Sequence, residues 1–161
     1  MDSPIRRPQE ILAYRSLRRI IALKPRDLWT IGPSESVLAA VQIMNDKNVG
    51  FLAVLQQEAV VGVLSERDCM RHVLLPNKSP ATTPVGDVMV SNVITADVSL
   101  TFADCLKLMH QHSIRHLLVT DQGKPITVIS VRDLLGEAVA HHAKIIAELE
   151  RERMTLFTST A

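Results

Sequence analysis

Two four-residue runs in this 161-residue chain set a hydroxyl three positions ahead of a carboxylate: Ser65-Glu66-Arg67-Asp68 and Ser130-Val131-Arg132-Asp133. Each follows a short apolar run, Val60–Leu64 or Ile126–Ile129, that reads as a strand. A strand that ends on Ser and turns into a helix gathers a hydroxyl, a carboxylate and the free backbone N–H groups of a helix start. One carboxylate can accept from both vicinal hydroxyls of a ribose, and a helix start suits a phosphate. The same spacing also serves as a capping box, with Asp in place of the usual Glu. A single copy would read as a cap; two copies in matching surroundings favour ligand binding at one corner at least.

The surroundings do match. At an offset of 65 residues, positions 28–73 lie on positions 93–138 without a gap, and ten of the 46 pairs are identical. Unrelated segments would match at about three. The identical pairs include Thr30/Thr95, Ser34/Ser99, Met44/Met109, Leu52/Leu117, Arg67/Arg132 and Asp68/Asp133. Apolar positions keep step as well, as at Val37/Phe102 and Leu64/Ile129.

Each copy parses alike. An extended piece, Leu28–Ile31 or Val93–Ala96, leads to a polar cap, Ser34 or Ser99. An amphipathic helix follows, with Val37, Val41 and Met44 or Phe102, Leu106 and Met109 at helical spacing. Then come an apolar strand (Phe51–Leu55 or Leu117–Val119), a tight turn (Gln56–Ala59 or Asp121–Lys124), a third strand and a second helix. The unit is β-α-β-β-α, and the fold class is α+β. One such unit leaves a sheet face uncovered, and two related by a pseudo-two-fold bury those faces together. Pro76–Pro84, with three prolines, reads as a linker. Pro8–Leu23 looks helical and basic. Residues 133–154 extend the last helix, and Leu156–Ala161 is expected to fray.

Further candidates stand beside the two corners. Arg115 and His116 enter the second strand of copy two, where a guanidinium can take two phosphate oxygens at once. Their equivalents, Gly50 and Phe51, are uncharged. Copy two, with Asp133 and Arg115, is therefore expected to be the stronger cleft. Arg67 and Arg132 reach a phosphate or lie on the helix surface. Val49 and Ile114 wall a base or belong to the core.

Composition narrows the function. Net charge is +1 and aromatics are 3%, which counts against a global pull on nucleic acid and against base stacking. Basic residues crowd the first 26 positions, but a helical flank packed on the body explains them better than a nucleic-acid site. Cys69 and Cys105 form no disulfide framework, which fits a reducing, cytoplasmic setting. The start lacks the apolar run of a signal peptide, and no 18-residue apolar stretch reads as a membrane span. His110 and His112 lie two apart near a helix end and do not share a helical face, and with His116 they have no further ligand group beside them, so no metal site is expected. No nucleophile stands with a base in a recognisable motif, so no catalytic residue and no enzymatic activity is expected.

The segments GVLSERD (Gly62–Asp68), TVISVRD (Thr127–Asp133) and IRHLLVTD (Ile114–Asp121) resemble the marks of the cystathionine-beta-synthase (CBS) domain. The pair resembles a tandem of such domains, a Bateman module, over roughly residues 24–140. The organisation this implies is a basic flank over 1–23, CBS unit one over 24–76, a linker over 77–84, CBS unit two over 85–140, and a helical extension and tail over 141–161. The resemblance implies two clefts between the units that take an adenine nucleotide (AMP, ADP, ATP or NAD), with no cofactor as catalyst. Asp68 and Asp133 would hold ribose, with Ser65 and Ser130 beside them. Thr30 and Thr95 would touch ribose or phosphate, as would Arg115 or His116. Thr127 stands where the family has Gly, supplied in copy one by Gly62, which counts against close approach of a ligand at Thr127. The family further implies a homodimer that signals to a downstream protein. The competing expectations are a structural dimerisation module with vestigial clefts and a nucleic-acid-associated regulator.

Overall fold

The computed structural model describes residues 14–23 and 27–159, with side chains through residue 155. The basic residues Arg6, Arg7, Lys24 and Arg26 lie outside the described residues, as do positions 8–13 of the helix expected over Pro8–Leu23. Its described part is α1, Leu17–Ala22.

Unit one runs β1 (Thr30–Ile31), α2 (Val37–Lys47), β2 (Phe51–Gln56), β3 (Ala59–Ser65) and α3 (Glu66–Cys69). Unit two runs β4 (Thr95–Asp97), α4 (Phe102–Gln111), β5 (His116–Asp121), β6 (Lys124–Ser130) and α5 (Val131–Ser159). Each makes a three-stranded sheet, β1-β2-β3 or β4-β5-β6, with the first pair parallel and the second antiparallel. The register slips after Val54 in one and after Val119 in the other, again 65 apart. Backbone angles repeat too. Asn48 and Ser113 both follow their helices at φ 52, and Gln57 and Gln122 both open their hairpin turns at φ 50. The next turn residue also has positive φ, Glu58 at 65 and Gly123 at 76, as a tight primed turn requires.

The caps correct one expectation. The first helices are capped by Ser36 and Thr101, two residues beyond Ser34 and Ser99. Ser36 accepts from the Ala39 N–H at 3.1 Å. Thr101 and Asp104 form a full capping box. Ser99 instead donates its N–H and its hydroxyl to Asp97, at 2.9 and 2.6 Å, and closes the turn out of β4. Those two bonds hold the Asp97 carboxyl below the usual carboxylate range.

Two cores form, and equivalent positions fill them: Val37/Phe102, Met44/Met109, Leu52/Leu117, Val54/Val119 and Leu64/Ile129. The closing segments are exchanged. Leu17, Ile20 and Ile21 of α1 precede unit one in the chain but are buried in the core of unit two. Val85 and Val88, around a 3-10 turn at Val85–Asp87, precede the sheet of unit two but are buried in the core of unit one. Ile20 and Val85 are 65 apart, so the exchange obeys the duplication.

The copies part after their corners. In unit one the chain passes from α3 into a π-helical turn, Met70–Leu74, and stops at Pro76 and Asn77, the latter at φ 58. In unit two α5 runs on to Ser159, five residues past the end expected from sequence. Among the described residues no helix is long and apolar enough to cross a membrane.

Candidate functional site

Both corners are built alike. Ser65 donates its N–H and its hydroxyl to Oδ2 of Asp68, at 2.9 and 2.6 Å, and accepts the Asp68 N–H at 3.4 Å. Ser130 and Asp133 repeat this at 2.7, 2.8 and 3.3 Å. The capping reading therefore holds at both. The strand next door is tied to each corner as well. Glu66 donates its N–H to the Gly50 carbonyl at 3.2 Å, and Val131 does the same to Arg115 at 2.9 Å.

What separates the corners is what faces them. A cavity of about 510 Å3 lies between the units and is bordered by Ser65, Arg67 and Asp68 of the first corner. Ile114, Arg115 and His116 of unit two form its other side. The main chain of Arg115 is bound to the second corner, yet the residue also borders the cavity of the first. The sequence set Arg115 with Asp133; in the structure it borders the cavity of Asp68 and also a second, more open hollow beside Val131. Two contacts stitch the units there. Arg67 donates to the Ser113 carbonyl at 3.2 Å, and the rings of Phe51 and His116, equivalent positions 65 apart, stack at 5.2 Å.

Of the residues singled out from sequence, six border this cavity: Ser65, Arg67, Asp68, Ile114, Arg115 and His116. Thr30, Val49, Thr95, Ser130, Arg132 and Asp133 do not. Val49 packs against the first core, and Thr95 is an exposed residue of β4. Gly62 also stays off the cavity. A Cβ there would sit 2.5 Å from Met89 Sδ and 3.2 Å from the Val90 carbonyl oxygen. Its smallness serves the crossing of chain, where Val63 and Val90 exchange two backbone hydrogen bonds.

Sequence reading missed Arg71, which adds a third guanidinium to the cavity, and Asn92 in the connection to unit two. Arg71 lies three residues past Asp68 and four past Arg67, a spacing that sets it on their helix face. The repeat hid it, because Gly136 holds the equivalent place. The cavity thus carries Arg67, Arg71 and Arg115 against Glu66 and Asp68, with Phe51, Val63, Ile94 and Ile114 as its apolar wall.

Two of the basic residues described at the amino end are engaged within the chain. Arg15 pairs with the buried Glu137 at 3.4 Å, and Arg18 with Asp121 at 3.1 Å. Among the described residues no group of three or more His, Cys, Asp and Glu side chains is placed to hold a metal ion.

A family model described as the CBS domain matches residues 22–75 and 85–140. The chain is 29% identical over 105 residues to the CBS domain-containing protein YhcV of Bacillus subtilis, covering 65% of this chain and 74% of that one. A crystallised CBS domain is similar at 35% identity and a TM-score of 0.74, over 78% of this chain and 98% of its own. A candidate signal-transduction protein with CBS domains from Burkholderia ambifaria is similar at 32% identity and a TM-score of 0.76, over 78% of this chain and 95% of its own. Duplicated sheets, duplicated corners and these likenesses lead to one conclusion: the chain belongs to the CBS-domain family, as a tandem pair of CBS units.

Proposed function

We propose that this chain is a non-catalytic sensor that binds an adenine nucleotide, AMP, ADP, ATP or NAD, in the cleft between its two units. One observation carries the reading: a cavity of about 510 Å3 brings the Ser65–Asp68 corner together with Arg115 and His116. That volume is within the roughly 300–1,000 Å3 of small-molecule sites. Ser65 occupies Oδ2 of Asp68 and leaves Oδ1 to accept from a ribose. Arg67, Arg71 and Arg115 supply bidentate donors for phosphate oxygens. The aliphatic wall around Ile114 suits the flat face of a base.

Because the cleft is bordered from both units, a bound nucleotide ties them together. It shifts the molecule only as far as it favours one arrangement over another. The relation to a signal-transduction candidate supports a signalling role toward a downstream protein. A cytoplasmic setting with a second copy as partner completes the proposal. Isothermal titration with AMP, ADP, ATP and NAD tests it, together with thermal melting. Saturation by at least one is expected, and a ligand at 100 times its dissociation constant should add about 2.7 kcal/mol of stability. Silence for all four would leave a duplicated scaffold without this function.

A further inference from the structure

Three guanidiniums border the cleft, and they are held differently. Arg67 is tied across the units by its bond to the Ser113 carbonyl. Arg115 is anchored through its main chain, whose carbonyl accepts the Val131 N–H at 2.9 Å. Arg71 makes no side-chain hydrogen bond or ion pair with any described residue and is exposed at the rim. It sits in the π-helical turn Met70–Leu74, where the Met70 carbonyl takes the N–H of Leu75 at 3.0 Å, five residues on. Such turns are rare and gather at functional sites. The duplication did not supply this one. In unit two α5 passes the equivalent place as an α-helix, with Gly136 there. A cation and a turn that one copy has and the other lacks serve something other than the shared fold.

The place of Arg71 along the helix says which ligand group it meets. Asp68, whose Oδ1 is left for ribose, lies three residues before it, a step of roughly 4 Å along the axis. That spacing sets the two on one helix face. With ribose at Asp68, Arg115 borders the same cavity from unit two and takes the first phosphate. Arg71 stands farther from the corner and is left for the next. Charge agrees. Apart from His116, the charged lining is three guanidiniums against the carboxylates of Glu66 and Asp68. The Glu66 carboxylate is turned to Gly50, 3.0 Å from where a Cβ there would sit. Without Arg71 this lining is neutral overall; with it the cleft holds one positive charge in excess, which favours each added phosphate.

We propose that Arg71 selects for linked phosphates: the cleft takes a nucleotide with a pyrophosphate group, as in ADP, ATP or NAD, in preference to AMP. The proposal rests on the nucleotide reading above and names the ligand class within it. Isothermal titration of the full chain and two variants tests it. The wild type should bind ADP and ATP about tenfold or more tightly than AMP, as one charge-assisted contact allows. Arg71→Ala should bring ADP and ATP to the AMP value and leave AMP unchanged. Arg71→Lys should keep part of the preference, since an ammonium supplies the charge without the bidentate fork. Melting of both variants without ligand should match the wild type, because the side chain is exposed. AMP bound as tightly as ADP by the wild type, or AMP and ADP weakened alike by Arg71→Ala, would overturn the assignment. If no nucleotide binds, the nucleotide reading fails, and inorganic tripolyphosphate against orthophosphate then judges Arg71 alone. Tighter binding of tripolyphosphate that disappears in Arg71→Ala would uphold its role, and binding indifferent to the substitution, or none, would end it.

Discussion

Ser65 with Asp68 and Ser130 with Asp133 make the same three hydrogen bonds, so the two corners act as controls for each other. Asp68→Ala and Asp133→Ala should each cost about 1 kcal/mol of stability through the lost cap. Only Asp68→Ala should also weaken nucleotide binding by an order of magnitude or more, because Arg115 faces that corner. Urea melts and titration of both variants check this, and equal losses of affinity would refute the pairing. The buried thiols give a pH expectation. Burial, followed by the charge of Asp68, pushes Cys69 up to about 11, and burial followed by Asp104 pushes Cys105 up to about 11. A thiol raised in the folded state keeps its proton where the unfolded chain, near its ordinary 9.0, has lost it. Their contribution to stability is therefore full below about pH 9 and is lost as pH climbs toward 11. Urea midpoints should fall across that window, and midpoints flat from pH 9 to 11 would contradict it. At this scale the sequence revealed which residues matter better than which ones meet. The Ser-x-x-Asp corners and Arg115 were legible because they repeat or break the repeat. That Arg115 borders the same cavity as Asp68 was not, because its main chain belongs to the other corner.

Elements were legible to the extent that the duplication exposed them. Strands, helices and hairpins fell where two aligned copies agreed. The caps lie two residues beyond the identical Ser34/Ser99 pair, at Ser36/Thr101, where the residue types differ and the function is shared, so identity between the copies does not mark them. The π turn at Met70–Leu74 had no period to announce it. Gly62 serves packing against Met89 and Val90. Gly62→Ala should therefore destabilise the chain by about 1–3 kcal/mol, since the Val90 carbonyl cannot yield as the Met89 tip can. Nucleotide affinity should hold. Chemical denaturation and titration of the variant check both parts, and an unchanged midpoint would show that the crossing has slack.

For the whole molecule, the exchanged closing segments matter most. Neither unit completes its core alone, because α1 closes unit two and the 85–88 segment closes unit one. No sequence pattern marks which core a short apolar segment enters. Leu17 is fully buried, so Leu17→Ala should cost about 2–5 kcal/mol. Hydrogen exchange should show the loss first in unit two, far from position 17 in the chain, and protection lost evenly or in unit one alone would contradict the exchange. This interlock is also what makes the cleft a place where one ligand can act on both units. The most direct test of that idea is a crystal structure of the chain with the nucleotide that binds it most tightly. The account expects density for ribose against Asp68 and for phosphate against Arg115, in the cavity shared by the two units. Ribose at Asp133, or density confined to a surface away from that cavity, would contradict it.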